Sequence, residues 1–402
     1  MTGEPPTDQS RTDDLLYFDH AATAPRRPEV LDAMAPFLSG VVGNPTGSHR
    51  LARVARTALD DARDEVAALT GSLPGGVVFT GGGTESCNLA VFGVTADRTR
   101  RGKDARVCVS AIEHHAVLDA ARRLARPLLS APVAVVELAV TPAGVLDLDA
   151  AADVLRDGAD LVSVMTANNE VGTVQPIPEL AAIVRDVAPQ AVLHTDAIAA
   201  APWLDLAVAA EGADLVSICA HKLGGPVGVG ALCSRREVAL VPLVTGGGQE
   251  RGRRAGTPDV AAAVGLAVAL RLSADERAVA ASLTAARRDH LAKLLAAGAE
   301  GLRLSVVDVP VLPGTCHVTV DGVSSEELVF LCDEAGLCVS AASSCSSGAA
   351  TASHVLAAMG LGGGDDRGSL RLTLGAETTD DDVERAAAIV VAAVRRLRGA
   401  AR

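Results

Sequence analysis

Aromatic side chains are nearly absent from this chain. Its 402 residues hold five Phe, one Tyr and one Trp, 2% in all. A core must therefore be filled by Ala, Val and Leu, and the hydrophobic class does reach 49%. Positive charge is also short: 36 basic residues face 49 acidic ones, a net charge of −13. That disfavours a general affinity for nucleic acid, which needs a basic surface to neutralise phosphates. No direct nucleic-acid partner is expected. Paired cysteine motifs are missing. The eight cysteines form no CxxC pair and no zinc-type spacing, so no metal site is expected. Most sit in apolar, strand-like contexts, as small buried hydrophobes do. A reducing cytoplasm fits them better than a disulfide-forming compartment. Long apolar runs are missing too. Val260–Leu270 is uncharged but too short to span a bilayer, and it reads as a buried helix. Met1–Asp14 is polar and lacks the apolar centre of a signal peptide. The expectation is a cytoplasmic protein without a membrane segment.

What is present is an ordinary globular composition, 21% charged, in a chain long enough to bury a large core and divide in two. Residues 1–16 read as a flexible tail, 17–258 as a large domain and 259–402 as a smaller α+β domain. In the large domain, short apolar runs alternate with Ala-rich amphipathic stretches. The candidate strands are Val77–Phe79, Val107–Ser110, Val133–Glu137, Leu161–Met165, Val192–His194, Leu215–Ile218 and Gly230–Cys233. Continuous apolar runs of this length suit strands covered on both faces. Helical stretches between them include Leu51–Leu69, Glu85–Val94, Ala116–Leu124, Leu148–Leu155 and Ile177–Val187. The pattern predicts an α/β fold with a mostly parallel seven-stranded sheet flanked by helices, its ligands bound beyond the strand ends.

Polar residues gather at those strand exits. Lys222 follows the run Leu215–Ile218, and Asp196 lies 26 residues before it at the previous exit. A lysine and an aspartate at successive exits are what pyridoxal phosphate (PLP) needs. The lysine attaches the cofactor, and the aspartate holds the protonated pyridine nitrogen, making the ring an electron sink. Gly81-Gly82-Gly83-Thr84 follows a strand and opens a helix, a setting that suits a phosphate. Glu113-His114-His115 and Asn168-Asn169-Glu170 occupy two further exits. Arg371 lies in the alternating run Ser369–Leu374 and could clamp a carboxylate. Cys345, in Ser343–Gly348, is a candidate sulfur nucleophile. Singly, each has a plainer reading: a glycine turn, a surface lysine, a capping aspartate, a structural histidine, a solvated arginine, a loop thiol. On local grounds His115 rivals His114. Their joint occurrence in one order is what carries weight.

The sequence resembles the cysteine desulfurases, in the class V aminotransferase branch of fold-type I PLP enzymes. Matching segments are Tyr17–Thr23, Gly43-Asn44-Pro45, Thr84-Glu85-Ser86, Glu113-His114, Asn168–Gly172, Asp196-Ala197, His221-Lys222 and Gly246–Gly252 with Arg254 and Gly256-Thr257. The resemblance runs from about Tyr17 to the C-terminus. It implies that Lys222 carries the cofactor and moves the substrate α-proton, with His114 stacked on the ring and Asp196 at its nitrogen. It implies a phosphate surrounded by Thr84, Cys219, His221 and, from a neighbouring subunit, Thr257, with Gly83, Asn169 and Ala220 also binding the cofactor. Asn169 and Arg371 would bind the L-cysteine carboxylate, and Cys345 would take its sulfur and pass it to an acceptor protein. Iron–sulfur cluster assembly or a thiolation pathway would be the destination. The segment Val339–Leu356 resembles the longer loop of the family's group I members. Selenocysteine cleavage, another PLP-dependent lyase or aminotransferase reaction, and an inactive sulfur-transfer scaffold are the alternative readings. The chain departs from the family at Ala199, where glutamine is usual, at Cys219 for serine, at Cys87 for aspartate, and at Ala342, Ser344 and Ala352. A homodimer is expected.

Overall fold

The computed structural model describes residues 15–41, 43–100, 102–126, 129–341, 353–362 and 367–400. After a short strand, β1 (Leu16–Tyr17), and two helices, α1 (Pro28–Ser39) and α2 (Arg50–Thr70), strands and helices alternate. They run β2 (Val78–Thr80), α3 (Gly83–Thr99), β3 (Ala105–Ser110), α4 (His115–Leu124), β4 (Val133–Leu138), α5 (Leu148–Leu155) and β5 (Leu161–Ser163). Then come α6 (Ile177–Val187), β6 (Val192–Asp196), α7 (Leu206–Ala209), β7 (Leu215–Cys219) and β8 (Gly230–Ser234). The strands form one sheet in the order β2-β8-β7-β6-β5-β3-β4. Only β8 runs against its neighbours. All seven predicted strands and all five predicted helices are present. The largest difference is α3, which runs on to Thr99 because its later turns, Thr95 and Thr99 included, are still buried.

Strand alternation explains why these runs carry no polar face. Val107 and Val109 of β3 point to the core beneath α3 and α4, whereas Cys108 points to the core beneath α5 and α6. Leu161 and Val162 of β5, and Leu215 and Val216 of β7, divide the same way. A period of two with helices on both faces favours apolar residues on both faces, and the buried polar exceptions Ser163, His194 and Ser217 bond to one another.

A 39-residue helix, α8 (Val260–Gly298), starts at Asp259, whose side chain accepts the Ala262 N–H at 2.9 Å. Its first half, Ala261–Leu270, packs into the large core with α1 and α2. Its second half, with Leu291 and Leu295, packs into a separate core. That core covers a three-stranded antiparallel sheet, β12-β10-β9, made of β9 (Leu302–Leu304), β10 (Thr315–Asp321) and β12 (Arg367–Thr373). The helices α9 (Ser325–Glu334) and α11 (Asp380–Ala400) lie beside it, and β11 (Leu337–Cys338) and α10 (His354–Ala358) connect them. Strand β1 pairs with β11, and Leu16 and Phe18 are buried in this second core. The units expected at 17–258 and 259–402 thus share α8, and the start of the first threads into the second. No helix among the described residues is long and apolar enough to cross a membrane.

Candidate active site

Five strand exits of the large sheet point to one place, and the second core closes it. The result is a cavity of about 310 Å³ whose lining includes Thr84, His114, Asn169, Asp196, Ala199, Lys222 and Arg371, with Asp19, Ala21, Ala22 and Ser340. Asp196 ends β6 and is only 4% exposed. Its Oδ1 accepts the Ile198 N–H at 2.9 Å. Burial pushes its carboxyl above the usual range, and the charge of His114 opposes that. Cys87 is fully buried. Burial first, then Asp196, hold its thiol neutral.

His114 caps α4. Its Nδ1 accepts the Ala116 N–H at 3.0 Å, so the neutral ring carries its proton on Nε2. Burial pushes the imidazole below its ordinary range, Asp196 opposes this, and Lys222 adds to it. His115 is not among the lining residues and stands 3.5 Å from Asp119. Structure thus separates two histidines that local sequence could not.

Lys222 sits in the turn after β7. Ala220 shapes that turn, its carbonyl accepting from Leu223 N and Gly225 N, each at 2.9 Å. The Nζ donates to the carbonyls of Ala21 and Ala22, the latter at 2.6 Å. His221 is pushed down to about 4 by burial and then by Lys222. Cys219, fully buried, is pushed up to about 12 by burial. Neither lines the cavity, nor do Ala220 and Gly83. Gly83 has its own constraint: a Cβ there would lie 2.2 Å from Ile198 Cδ1, so a larger residue would have to turn the isoleucine side chain aside. Gly82 caps α3 without a side-chain hydrogen bond, which leaves its first-turn amides to an anion. Glu85 braces the loop, accepting from Gly81 N at 2.6 Å and from Arg254 Nε at 2.9 Å. A cradle that a Cβ would fill, a buried carboxyl at one exit and a lysine at the next fit PLP.

Arg371 is 6% exposed, so it is not the solvated strand residue of the plainer reading. Its Nη2 donates to Asp19 Oδ1 at 2.7 Å and its Nη1 to the Asn169 carbonyl at 3.0 Å. Asn168 holds Asn169 in place: Nδ2 donates to Ile112 O at 3.0 Å, and Oδ1 accepts from Glu170 N and Val171 N, each at 2.9 Å. Asp19, Ser340 and Asn168 were missed as site residues. Asp19 and Ser340 reach the cavity through pairings about 350 and 30 residues apart, and no local pattern announces those. Thr257 is exposed and does not line the cavity of its own chain. Cys345, with Ala342, Ser344 and Ala352, lies outside the described residues. A second cavity of about 540 Å³ shares Ala21, Asn169, Ala199 and Lys222 with the first, so Ala199 stands where the two adjoin.

The fold is that of fold-type I PLP enzymes. The aminotransferase class-V family model matches residues 16–386. An IscS-like cysteine desulfurase of Mycobacterium tuberculosis is 40% identical over 391 residues, which cover 96% of this chain and 98% of that protein. A solved NifS-like protein superposes with a TM-score of 0.84 at 30% identity, over 94% of this chain and 98% of that one. A structure described as SspA in complex with cysteine gives 0.74 at 31% identity, over 89% and 98%. The chain belongs to the cysteine desulfurases of the aminotransferase class-V family.

Proposed function

We propose that this protein is a PLP-dependent cysteine desulfurase, which converts L-cysteine to L-alanine and hands the sulfur, through Cys345, to an acceptor protein. One observation carries the reading: Asp196, His114, Lys222 and Arg371 line a single cavity in a chain of this family. When bound, PLP supplies an electron sink for the bond-breaking at the substrate α-carbon. Asp196 would hold the pyridine nitrogen, and Thr84 with the first turn of α3 would hold the phosphate, with Gly83, Cys219, Ala220 and His221 shaping the turns behind it and Thr257 joining from the second subunit of a homodimer. His114, its Nδ1 tied to its own helix, would lie beside the ring. Asn169 and Arg371 hold the substrate carboxylate, which leaves the α-proton to the Nζ of Lys222. Cys345 takes the sulfur as a persulfide. The seven described cysteines are unpaired, which supports a reducing, cytoplasmic setting.

The test is alanine formation from L-cysteine by the purified protein, with sulfide released from the persulfide by an added thiol reductant, beside Lys222→Ala. The wild type is expected to be yellow and active, and the variant colourless and inactive. A variant that kept both colour and turnover would overturn the assignment of Lys222.

A further inference from the structure

Asp19 belongs to a strap that runs from the small core to the cavity. Phe18 N donates to Cys338 O at 2.9 Å, Thr373 N to Phe18 O at 2.7 Å, and Ala21 N to Thr373 Oγ1 at 2.9 Å. Asp19 itself bridges to Thr373. Its backbone is thereby fixed on the strand that carries Arg371, and its Oδ1 takes one guanidinium nitrogen at 2.7 Å. The second nitrogen goes to a neutral carbonyl, that of Asn169. The third, Nε, is buried without a hydrogen-bond partner. Opposite Arg371 in the sheet stands His317, which burial keeps neutral. Of the acids lining the cavity, Asp196 accepts from the Ile198 amide, and Asp19 is the one paired with Arg371.

We propose that Asp19 is a positioning residue that both aims Arg371 and competes for it. A carboxylate entering the cavity then meets a shared cation, and the pairing with Asp19 lowers affinity for the substrate while keeping the guanidinium in place. This rests on the reading of Arg371 as the carboxylate anchor. The two parts of the role separate by substitution. Asp19→Asn keeps an accepting oxygen of the same shape but removes the competing charge. Asp19→Ala removes the anchor as well.

The experiment measures KM and kcat for L-cysteine, and the equilibrium affinity for L-alanine by calorimetry, in wild type and both variants with equal PLP content. Asp19→Asn is expected to lower the cysteine KM and tighten alanine about 3- to 10-fold, less than a whole charge-assisted contact because the amide oxygen still accepts from Arg371. Asp19→Ala is expected to raise the KM by a similar factor. Changes of the same sign in both variants, or none in either, would overturn the proposal, because a merely structural aspartate cannot give opposite signs. A wild type that fails to desulfurate cysteine would defeat the functional reading instead. The alanine titrations would still decide the role of Asp19.

Discussion

Arg371 is enclosed by protein yet faces the cavity, so replacing it removes a charged contact rather than a surface feature. Arg371→Leu is expected to raise the cysteine KM by about tenfold to hundredfold, the equivalent of roughly 1.5–3 kcal/mol for a charge-assisted hydrogen bond. Cofactor content should stay near that of wild type. An unchanged KM would remove Arg371 from the site. His194 makes a different kind of statement. It lies fully buried under Asp196, between Ser163 Oγ at 2.8 Å and Ser217 Oγ at 2.9 Å, and burial lowers its pKa from 6.5 to about 3. Between those values the unfolded chain binds a proton that the native chain refuses. Stability is therefore lost as pH falls through that window, and nothing is lost above it. His194→Gln should flatten the decline by at most about 1.4 kcal/mol per pH unit. Urea midpoints measured from pH 7 to pH 4 check this; parallel curves for the two proteins would refute it.

The glycine-rich segment that follows β8 is held by one buried pair. Arg63 of α2 donates to both oxygens of Glu250, each at 2.8 Å. Glu250 also accepts the Phe79 N–H of β2 at 3.0 Å. Glu250 and Arg251 have φ of 46° and 55°, a left-handed conformation that non-glycine residues adopt only at a cost. The ion pair offsets that cost and ties the segment to the strand that leads into the Gly81–Thr84 loop. Glu250→Gln leaves a buried guanidinium without a counter-charge, and about 3–5 kcal/mol of stability should go with it. A thermal melt gives the answer, and a loss below about 1 kcal/mol, the scale of an exposed pair, would sink the idea.

Taken as one object, the chain places Thr257 in the open, away from its own cavity. Nearby, Leu243 and Val244 are also exposed. In the proposed homodimer these apolar side chains would be covered by the second subunit. Sedimentation should therefore show a homodimer, and Thr257→Ala should weaken PLP retention without altering the fold of either subunit. A fully active monomer would rule out a shared site.

The local alternation of apolar runs and amphipathic helices was enough to determine the α/β sheet, its seven strands and the exits at Asp196, His114 and Lys222. A parallel strand buried on both faces leaves a continuous apolar signature, and its polar exit follows directly in the chain. Three matters were decided only by the tertiary structure. One is the lining of the cavity, where the meeting of five strand exits with the second core brings in His114 and leaves out His115. Another is the sharing of α8 between two cores, which no break in its helical sequence marks. The third is the meeting of Asp19 with Arg371. Those residues lie 352 positions apart, and their pairing arises because β1 and the strap after it pack against β11 and β12. No periodicity encodes such a contact, since it depends on how the first residues of the chain find the last sheet.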